Sequence, residues 1–204
     1  TLGNGAAVNA GSLSLYAASG PIDLTGAGGT GLSIGGTWGR GTLPSSSSSI
    51  TLNADAMTLG STTINTTGAL TVQPVNTSFS GSGLSWPLTN VTLSTTLGGL
   101  TLGKANNASD ITIGTAVTTA GAINLFGGNI KLNAGLTTTA SNIALNGPVK
   151  VGANGVTLNS AGNITFTGSG TLANNNRGII LCCNATKAVT IEATGTGTVT
   201  LTGT

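Results

Sequence analysis

The sequence predicts an all-β fold, a parallel β-solenoid with about 20 residues per coil, on three observations. Apolar residues occur in pairs separated by one residue, which is the period of strands with one buried face. These pairs also recur at a longer period, illustrated by Ile123, Ile143 and Ile164, which matches the length of one solenoid coil. Charged residues make up only 5% of the chain, whereas ordinary globular proteins have about 25%.

The individual strands are predicted to be short and to be separated by turns rich in Gly, Asn or Ser. No window carries the apolar stripe of a helix. In chain order the predicted strands contain the pairs Leu13/Leu15, Ile22/Leu24, Leu32/Ile34, Ile50/Leu52, Met57/Leu59, Leu70/Val72, Val91/Leu93, Leu100/Leu102, Ile111/Ile113, Ile123/Leu125, Ile130/Leu132, Ile143/Leu145, Val149/Val151, Val156/Leu158, Ile164/Phe166, Ile179/Leu181, Val189/Ile191 and Val199/Leu201.

The longer period favours a solenoid over a β-sandwich. Ile111, Ile130 and Val149 follow one another at equal steps along the chain, and a recurrence that holds two or three short strands is typical of stacked coils. A sandwich would have longer strands joined by hairpins. Coils in a parallel solenoid lie about 4.8 Å apart, so roughly ten coils would form a rod on the order of 50 Å long. Residues 1–204 are predicted to be one continuous solenoid.

The composition agrees with stacked coils. Glycine accounts for 34 of the 204 residues and supplies the positive-φ geometry of corners, which Asn also tolerates. Charge is rare because like charges on successive coils would lie within about 5 Å of each other. The longest purely apolar run, Ile179–Cys183, is too short to span a membrane.

Two stretches interrupt the rhythm and are predicted to be loop insertions, at residues 35–49 and 73–90. They hold Trp38, Arg40, Phe79 and Trp86. One interpretation is that the insertions fold back over a sheet or cover an end of the solenoid. The other is that aromatic loops on a rigid rod bind a ligand. The sequence leaves both open.

The chain resembles a known family in the segment 65–134, NTTGALTVQPVNTSFSGSGLSWPLTNVTLSTTLGGLTLGKANNASDITIGTAVTTAGAINLFGGNIKLNA. Its repeat style is similar to that of filamentous-haemagglutinin-like exoproteins, surface adhesins of Gram-negative bacteria, over most of residues 60–204. The resemblance implies a right-handed parallel β-helix, an extracellular location and no catalytic residue. The family's N-terminal secretion motif of the Asn-Pro-Asn-Leu type does not occur in the chain.

No catalytic site, cofactor or metal is predicted. Histidine is absent from the sequence, which removes the usual general base and the commonest zinc ligand. The four acids, Asp23, Asp55, Asp110 and Glu192, are not one coil apart and so are not expected to form a carboxylate pair. We therefore expect a protein that is not an enzyme.

Lys131 and Lys150 form the most notable pair of charges. Each is the outward middle residue of a predicted strand, and they are separated by one predicted coil length, so stacking would place one above the other beside Thr112. They could form a small cationic strip for an anionic glycan or nucleic acid, or only keep sheets from associating. Six positive residues spread along a rod make a poor nucleic-acid footprint, so no nucleic-acid partner is expected.

Cys182 and Cys183 are adjacent. Alternation after an inward Leu181 predicts that Cys182 points outward and Cys183 inward. One thiol could instead link neighbouring subunits.

The function expected from these features is that of a non-catalytic extracellular rod, an adhesin or surface filament whose partners are a glycan or a host surface. A self-assembling fibre subunit, pairing end to end with copies of itself, is the alternative, because neither terminus has an evident cap. Ice binding by Thr ranks and polysaccharide binding by a β-helix are less favoured interpretations. Ice binding is disfavoured because the outward residue varies among Thr112, Asn124, Lys131, Ala144, Lys150 and Thr157. Without a leader before Thr1, the chain is expected to be a mature product or an excerpt.

Overall fold

The computed structural model describes the backbone of residues 22–25, 32–34, 38–39, 49–59, 62–89, 91–93, 96–153, 156–167, 173–174, 179–183 and 189–192. Side chains are described for residues 49–56, 64, 66–89, 91–93, 96–153 and 156–167. The regular structure of these residues consists of the strands β1 (Ile22–Thr25), β2 (Leu32–Ile34), β3 (Trp38–Gly39), β4 (Ile50–Asn53), β5 (Met57–Leu59), β6 (Thr62–Asn65), β7 (Ala69–Gln73), β8 (Leu84–Trp86), β9 (Val91–Leu93), β10 (Gly99–Leu102), β11 (Ile111–Ile113), β12 (Val117–Thr119), β13 (Ile123–Phe126), β14 (Ile130–Leu132), β15 (Leu136–Thr138), β16 (Ile143–Asn146), β17 (Val149–Val151), β18 (Val156–Ser160), β19 (Ile164–Thr167), β20 (Ala173–Asn174), β21 (Ile179–Cys183) and β22 (Val189–Glu192).

The strands stack as a parallel β-solenoid, and the predicted fold class is confirmed. Every third strand pairs in one sheet of eight, β1-β4-β7-β10-β13-β16-β19-β22, which we call the first sheet. The second sheet is β8-β11-β14-β17-β20 and the third sheet is β12-β15-β18-β21. In the earlier coils β2 pairs with β5, and β3, β6 and β9 form a sheet of three. Each coil is thus one circuit of three strands.

The predicted register is also confirmed. Ile123 pairs with Ile143, and Ile143 with Ile164. Coils differ in length where residues are inserted. The chain between the paired residues Leu70 and Leu100, for example, is longer than the chain between Ile123 and Ile143. Extra residues therefore enter at corners and leave the strand alignment intact.

The core is a column of apolar side chains along the rod axis. In the first sheet, the inward aliphatic residues whose side chains are described, from β4 to β19, are no more than 1% exposed. The inward residues of the second and third sheets, from β8 to β18, are no more than 6% exposed. Full burial of one such side chain contributes roughly 1.5–3 kcal/mol. The described inward aliphatic residues of the first sheet are Ile50, Leu52, Leu70, Val72, Leu100, Leu102, Ile123, Leu125, Ile143, Leu145 and Ile164.

One corner holds a buried column of hydroxyl groups instead. Thr119, Thr138 and Ser160 end successive strands of the third sheet and are at most 2% exposed. The Thr119 hydroxyl donates to the Gly121 carbonyl at 2.7 Å, and the Thr138 hydroxyl donates to the Ser141 carbonyl at 2.6 Å. Each hydroxyl satisfies a carbonyl of the next corner, so its burial is compensated.

The two cysteines continue the third sheet. The pairing of β18 with β21 aligns Cys182 with Asn159, which is exposed, and Cys183 with Ser160, which is buried. The cysteine side chains lie outside the described residues, so their orientation and any crosslink stay predictions.

The segment 73–90 differs from the predicted loop, because residues 84–86 form β8 and align with β11. The remainder is pinned to the body by Asp55, whose side chain is 7% exposed. The Asn76 amide N–H donates to Asp55 Oδ1 at 2.9 Å, and the Ser80 N–H donates to the Asp55 carbonyl at 2.7 Å. The 73–90 insertion therefore packs as part of the rod.

Candidate functional site

Phe79 and Trp86, two of the three aromatic residues predicted as ligand contacts, are buried. Phe79 is 5% exposed and Trp86, in β8, is 3% exposed. Both rings pack in the hydrophobic core, which corrects their interpretation as ligand contacts, because a ring buried by its own chain offers no face to a ligand. Trp38 lies in β3, which pairs with β6. Its side chain, and Arg40 as a whole, lie outside the described residues.

The lysine strip has the predicted alignment. In the second sheet Thr112 pairs with Lys131, and Lys131 with Lys150. The structure adds a partner that the sequence reasoning missed: Lys131 Nζ lies 2.5 Å from Asp110 Oδ2. Asn129 Nδ2 also donates to Asp110 Oδ1 at 2.8 Å. Two lysines and one aspartate leave the strip with a single net positive charge, carried by the exposed Lys150.

The position of Asp110 lowers its pKa. The hydrogen bond from Lys131 is the largest cause and the hydrogen bond from Asn129 is the next. Burial, which raises the pKa, ranks third, and the charges of Lys131 and Lys150 lower the pKa by smaller amounts. A carboxyl with a lowered folded-state pKa stabilises the fold above its unfolded pKa of about 3.9, and this stabilisation is lost as the pH falls through the folded value.

We expect Asp110→Asn to remove part of the acid sensitivity of the fold. Because Lys131 is partly exposed, the effect is expected to be about 1 kcal/mol or less. The measurement is the urea midpoint from about pH 6 down to about pH 2, compared between the parent and the variant. Lys150→Gln is the comparison variant and is expected to change the acid sensitivity less than Asp110→Asn, because it removes only the smallest cause and leaves the hydrogen bonds from Lys131 and Asn129 in place. If the urea midpoint fell equally steeply with decreasing pH in the parent and in Asp110→Asn, Asp110 would not be a source of the acid sensitivity.

The middle column of the first sheet is uncharged from β4 to β22, whereas the residue of β1 that aligns with Thr51 is Asp23. From β4 onward the column contains Thr51, Thr71, Thr101, Asn124, Ala144, Thr165 and Thr190. The variation used against ice binding combined residues that the structure assigns to different faces. Within this one column the Thr run is still interrupted at Asn124 and Ala144, so a regular array of hydroxyl groups is limited to three coils.

A groove lies at the corner between the first and second sheets. We call it the corner groove; it is lined by residues 104–107, 126–127, 146–148 and Thr167 and has a volume of about 420 Å³. Its origin is a difference in corner length. The connection from β10 to β11 is much longer than those from β13 to β14 and from β16 to β17. The long corner forms a wall, and the short corners of the following coils form the floor.

The wall is fixed to the body by side-chain hydrogen bonds. Asn107, 6% exposed, donates from Nδ2 to the Phe126 carbonyl at 2.7 Å and to the Ser109 carbonyl at 3.2 Å. The Ala108 N–H donates to Ser78 Oγ at 2.9 Å, and Lys104 Nζ donates to the Val75 carbonyl at 2.8 Å. The wall is therefore held from the inserted segment below it and from the coil above it.

Two glycines permit the close approach of the coils at this corner. Gly103 has φ +79°, and Gly147 has φ +149°. A Cβ at Gly103 would collide with the Phe126 carbonyl, and one at Gly147 would collide with the Gly127 carbonyl. Glycine is required at both positions because of backbone conformation and space.

The floor of the corner groove carries a half-buried aromatic ring. Phe126 is the last residue of β13 and follows the inward Leu125, so it points outward. Asn146 and Thr167 occupy the equivalent position on the next two coils. The sequence reasoning missed this site, although two signals were present. One was an aromatic residue at an outward position, and the other was the coil before Ile123, which is longer than the two coils that follow it.

The described residues hold no group of three His, Cys, Asp or Glu side chains that could bind a metal ion. In the same residues no helix is long and apolar enough to cross a membrane.

Comparison with protein families, curated proteins and solved structures gives no match to this chain. The resemblance to filamentous-haemagglutinin-like exoproteins therefore stays a prediction.

Proposed function

We propose that the chain is a non-catalytic, extracellular rod of an adhesin or surface filament, which holds a binding surface away from a cell. The observation that carries this proposal is the uninterrupted parallel pairing of the first sheet from β1 to β22. Eight strands at a spacing of about 4.8 Å form a sheet about 34 Å long, and the described side chains from β4 to β19 pack in one hydrophobic core. Such a stiff, extended element can hold a binding surface at a distance from the point where the protein is attached.

The surface chemistry supports an exposed, protease-resistant role. Hydrogen bonds to Asp55 and from Asn107 hold the long corners of the described part against the rod, which makes these corners poor substrates for a protease. Uncharged Thr, Asn and Ala occupy the outward column of the first sheet over several coils. A protein outside the cell benefits from both features.

An antibody raised against the purified chain tests the location. We expect it to label intact, non-permeabilised cells of the source organism, and its Fab fragment to reduce their attachment to a host-cell or glycan-coated surface. Labelling that requires permeabilisation would overturn the proposal. Surface labelling without any effect on attachment, together with fibres of the purified protein in electron micrographs, would favour the self-assembling fibre subunit instead.

A further inference from the structure

We propose that the corner groove binds a pyranose oligosaccharide that lies along the rod axis. The inference deepens the proposed function, on which it rests for its biological setting, by assigning a ligand class and a site. The central group is Phe126, whose half-buried ring is held on the floor of the groove. An aromatic ring presents an apolar face with a fixed orientation, and the C–H face of a pyranose ring is its natural complement.

The polar groups around the ring suit sugar hydroxyls. Asn106 is exposed on the wall, while Asn146 and Thr167 follow Phe126 on successive coils. Asn146 donates one hydrogen bond, to the Leu125 carbonyl at 3.2 Å, which leaves an amide oxygen and a second N–H for a ligand. Amide and hydroxyl groups both donate and accept, as hydroxyl groups of a sugar require.

The geometry matches a chain that advances coil by coil. The groove lining comes from four successive coils, through Lys104, Phe126, Asn146 and Thr167. Neighbouring coils are about 4.8 Å apart, which is close to the advance of one pyranose unit in an extended chain. A volume of about 420 Å³ lies within the usual range of small-ligand sites.

Peptides and nucleic acids fit the corner groove less well. An added β-strand would need free backbone groups, but the Gly127 N–H donates to the Asn146 carbonyl at 3.2 Å and the Gly147 N–H donates to the Thr167 carbonyl at 2.7 Å. A nucleic acid would need several cations for its phosphates, and Lys104 is the one charged residue among the described lining residues. With no acid in that lining, neutral and acidic sugars are both accommodated.

The test is saturation-transfer-difference NMR with the full chain and four linear trisaccharides at millimolar concentration: chitotriose, cellotriose, maltotriose and trigalacturonate. We expect transfer to pyranose C–H protons of at least one of them. Phe126→Leu keeps an apolar side chain but removes the ring, and it is expected to weaken that binding about tenfold or more. Asn124→Ala, an outward change on the same strand as Phe126, is the matched control and should bind like the parent.

No transfer to any of the four trisaccharides would overturn the inference, as would equal affinities in the parent and in a folded Phe126→Leu variant. Thermal unfolding of each variant establishes that it is folded, and Phe126→Trp, which restores a ring, should recover binding. The two proposals fail separately. Absence of binding leaves the cell-labelling result intact, whereas failure to label intact cells leaves the NMR result intact.

Discussion

Ile143→Ala is expected to lower the free energy of unfolding by about 2–5 kcal/mol, the range for truncating a fully buried aliphatic side chain. Ile143 is 0% exposed and stands between Ile123 and Ile164 in the core column, both also 0% exposed. The cavity would therefore remove contacts from three coils together. Urea unfolding followed by circular dichroism measures the loss.

The strands that Ile143→Ala destabilises are as informative as the size of the decrease in unfolding free energy. Coils of a solenoid contact mainly their neighbours, so amide hydrogen exchange should accelerate most in β13, β16 and β19. Ala144→Ser changes the outward neighbour of Ile143 on the same strand and is expected to alter stability by less than about 0.5 kcal/mol. If the two variants lost equal stability, the inward and outward assignment of β16 would be wrong.

The strands of the core from β10 to β19 could be predicted from the sequence because the apolar pairs are local and the coil length is nearly constant there. From β10 to β19, neighbouring strands of the first sheet are separated by similar lengths of chain. Each apolar pair predicts a strand with one buried face, and the recurrence of these pairs at one coil length predicts which strands pair with each other. The same residues therefore predict both the strands and their long-range contacts.

The pattern failed where a coil is longer. Leu84, Ser85 and Trp86 have the same apolar-x-apolar order as the predicted strands, but they lie inside the long interval between Leu70 and Leu100. Two structures were compatible with that interval: a loop extruded from a corner, or a strand that follows a long corner. Asp55 and Asn76, on stacked corners, hold the inserted segment through a part-buried contact, and a search for repeated apolar residues does not detect a contact between an acid and an amide.

The groove and the ion pair were missed for a related physical reason. Asp110 and Lys131 lie on neighbouring coils, one coil length apart along the chain, but acids were compared only with other acids. The wall of the corner groove arises from the different lengths of successive corners. Such a site forms where coils of different length stack on each other. A search for similar residues at a constant period does not detect it.

Trp86→Ala is expected to destabilise the protein by about 3–5 kcal/mol, the range for removing a buried aromatic side chain. Trp86 is 3% exposed and aligns with Ile113 of β11, and its carbonyl accepts a hydrogen bond from the Gly114 N–H at 2.7 Å. The lost ring would leave a cavity where the inserted segment joins the regular coils. The measurement is the free energy of unfolding in urea.

Two further variants distinguish a core residue from a ligand contact at this position. Ser85→Ala is the matched control, because Ser85 is exposed in the same strand and its truncation is expected to change stability by less than about 0.5 kcal/mol. Trp86→Phe should recover part of the loss by filling part of the cavity. Loss of stability graded by the size of the side chain, with the Ser85 variant unchanged, is the outcome that burial requires. If Trp86→Ala instead kept the parent's unfolding free energy but lost attachment to a glycan-coated surface, the ring would have to be accessible, and the packing of the inserted segment against the rod would be wrong.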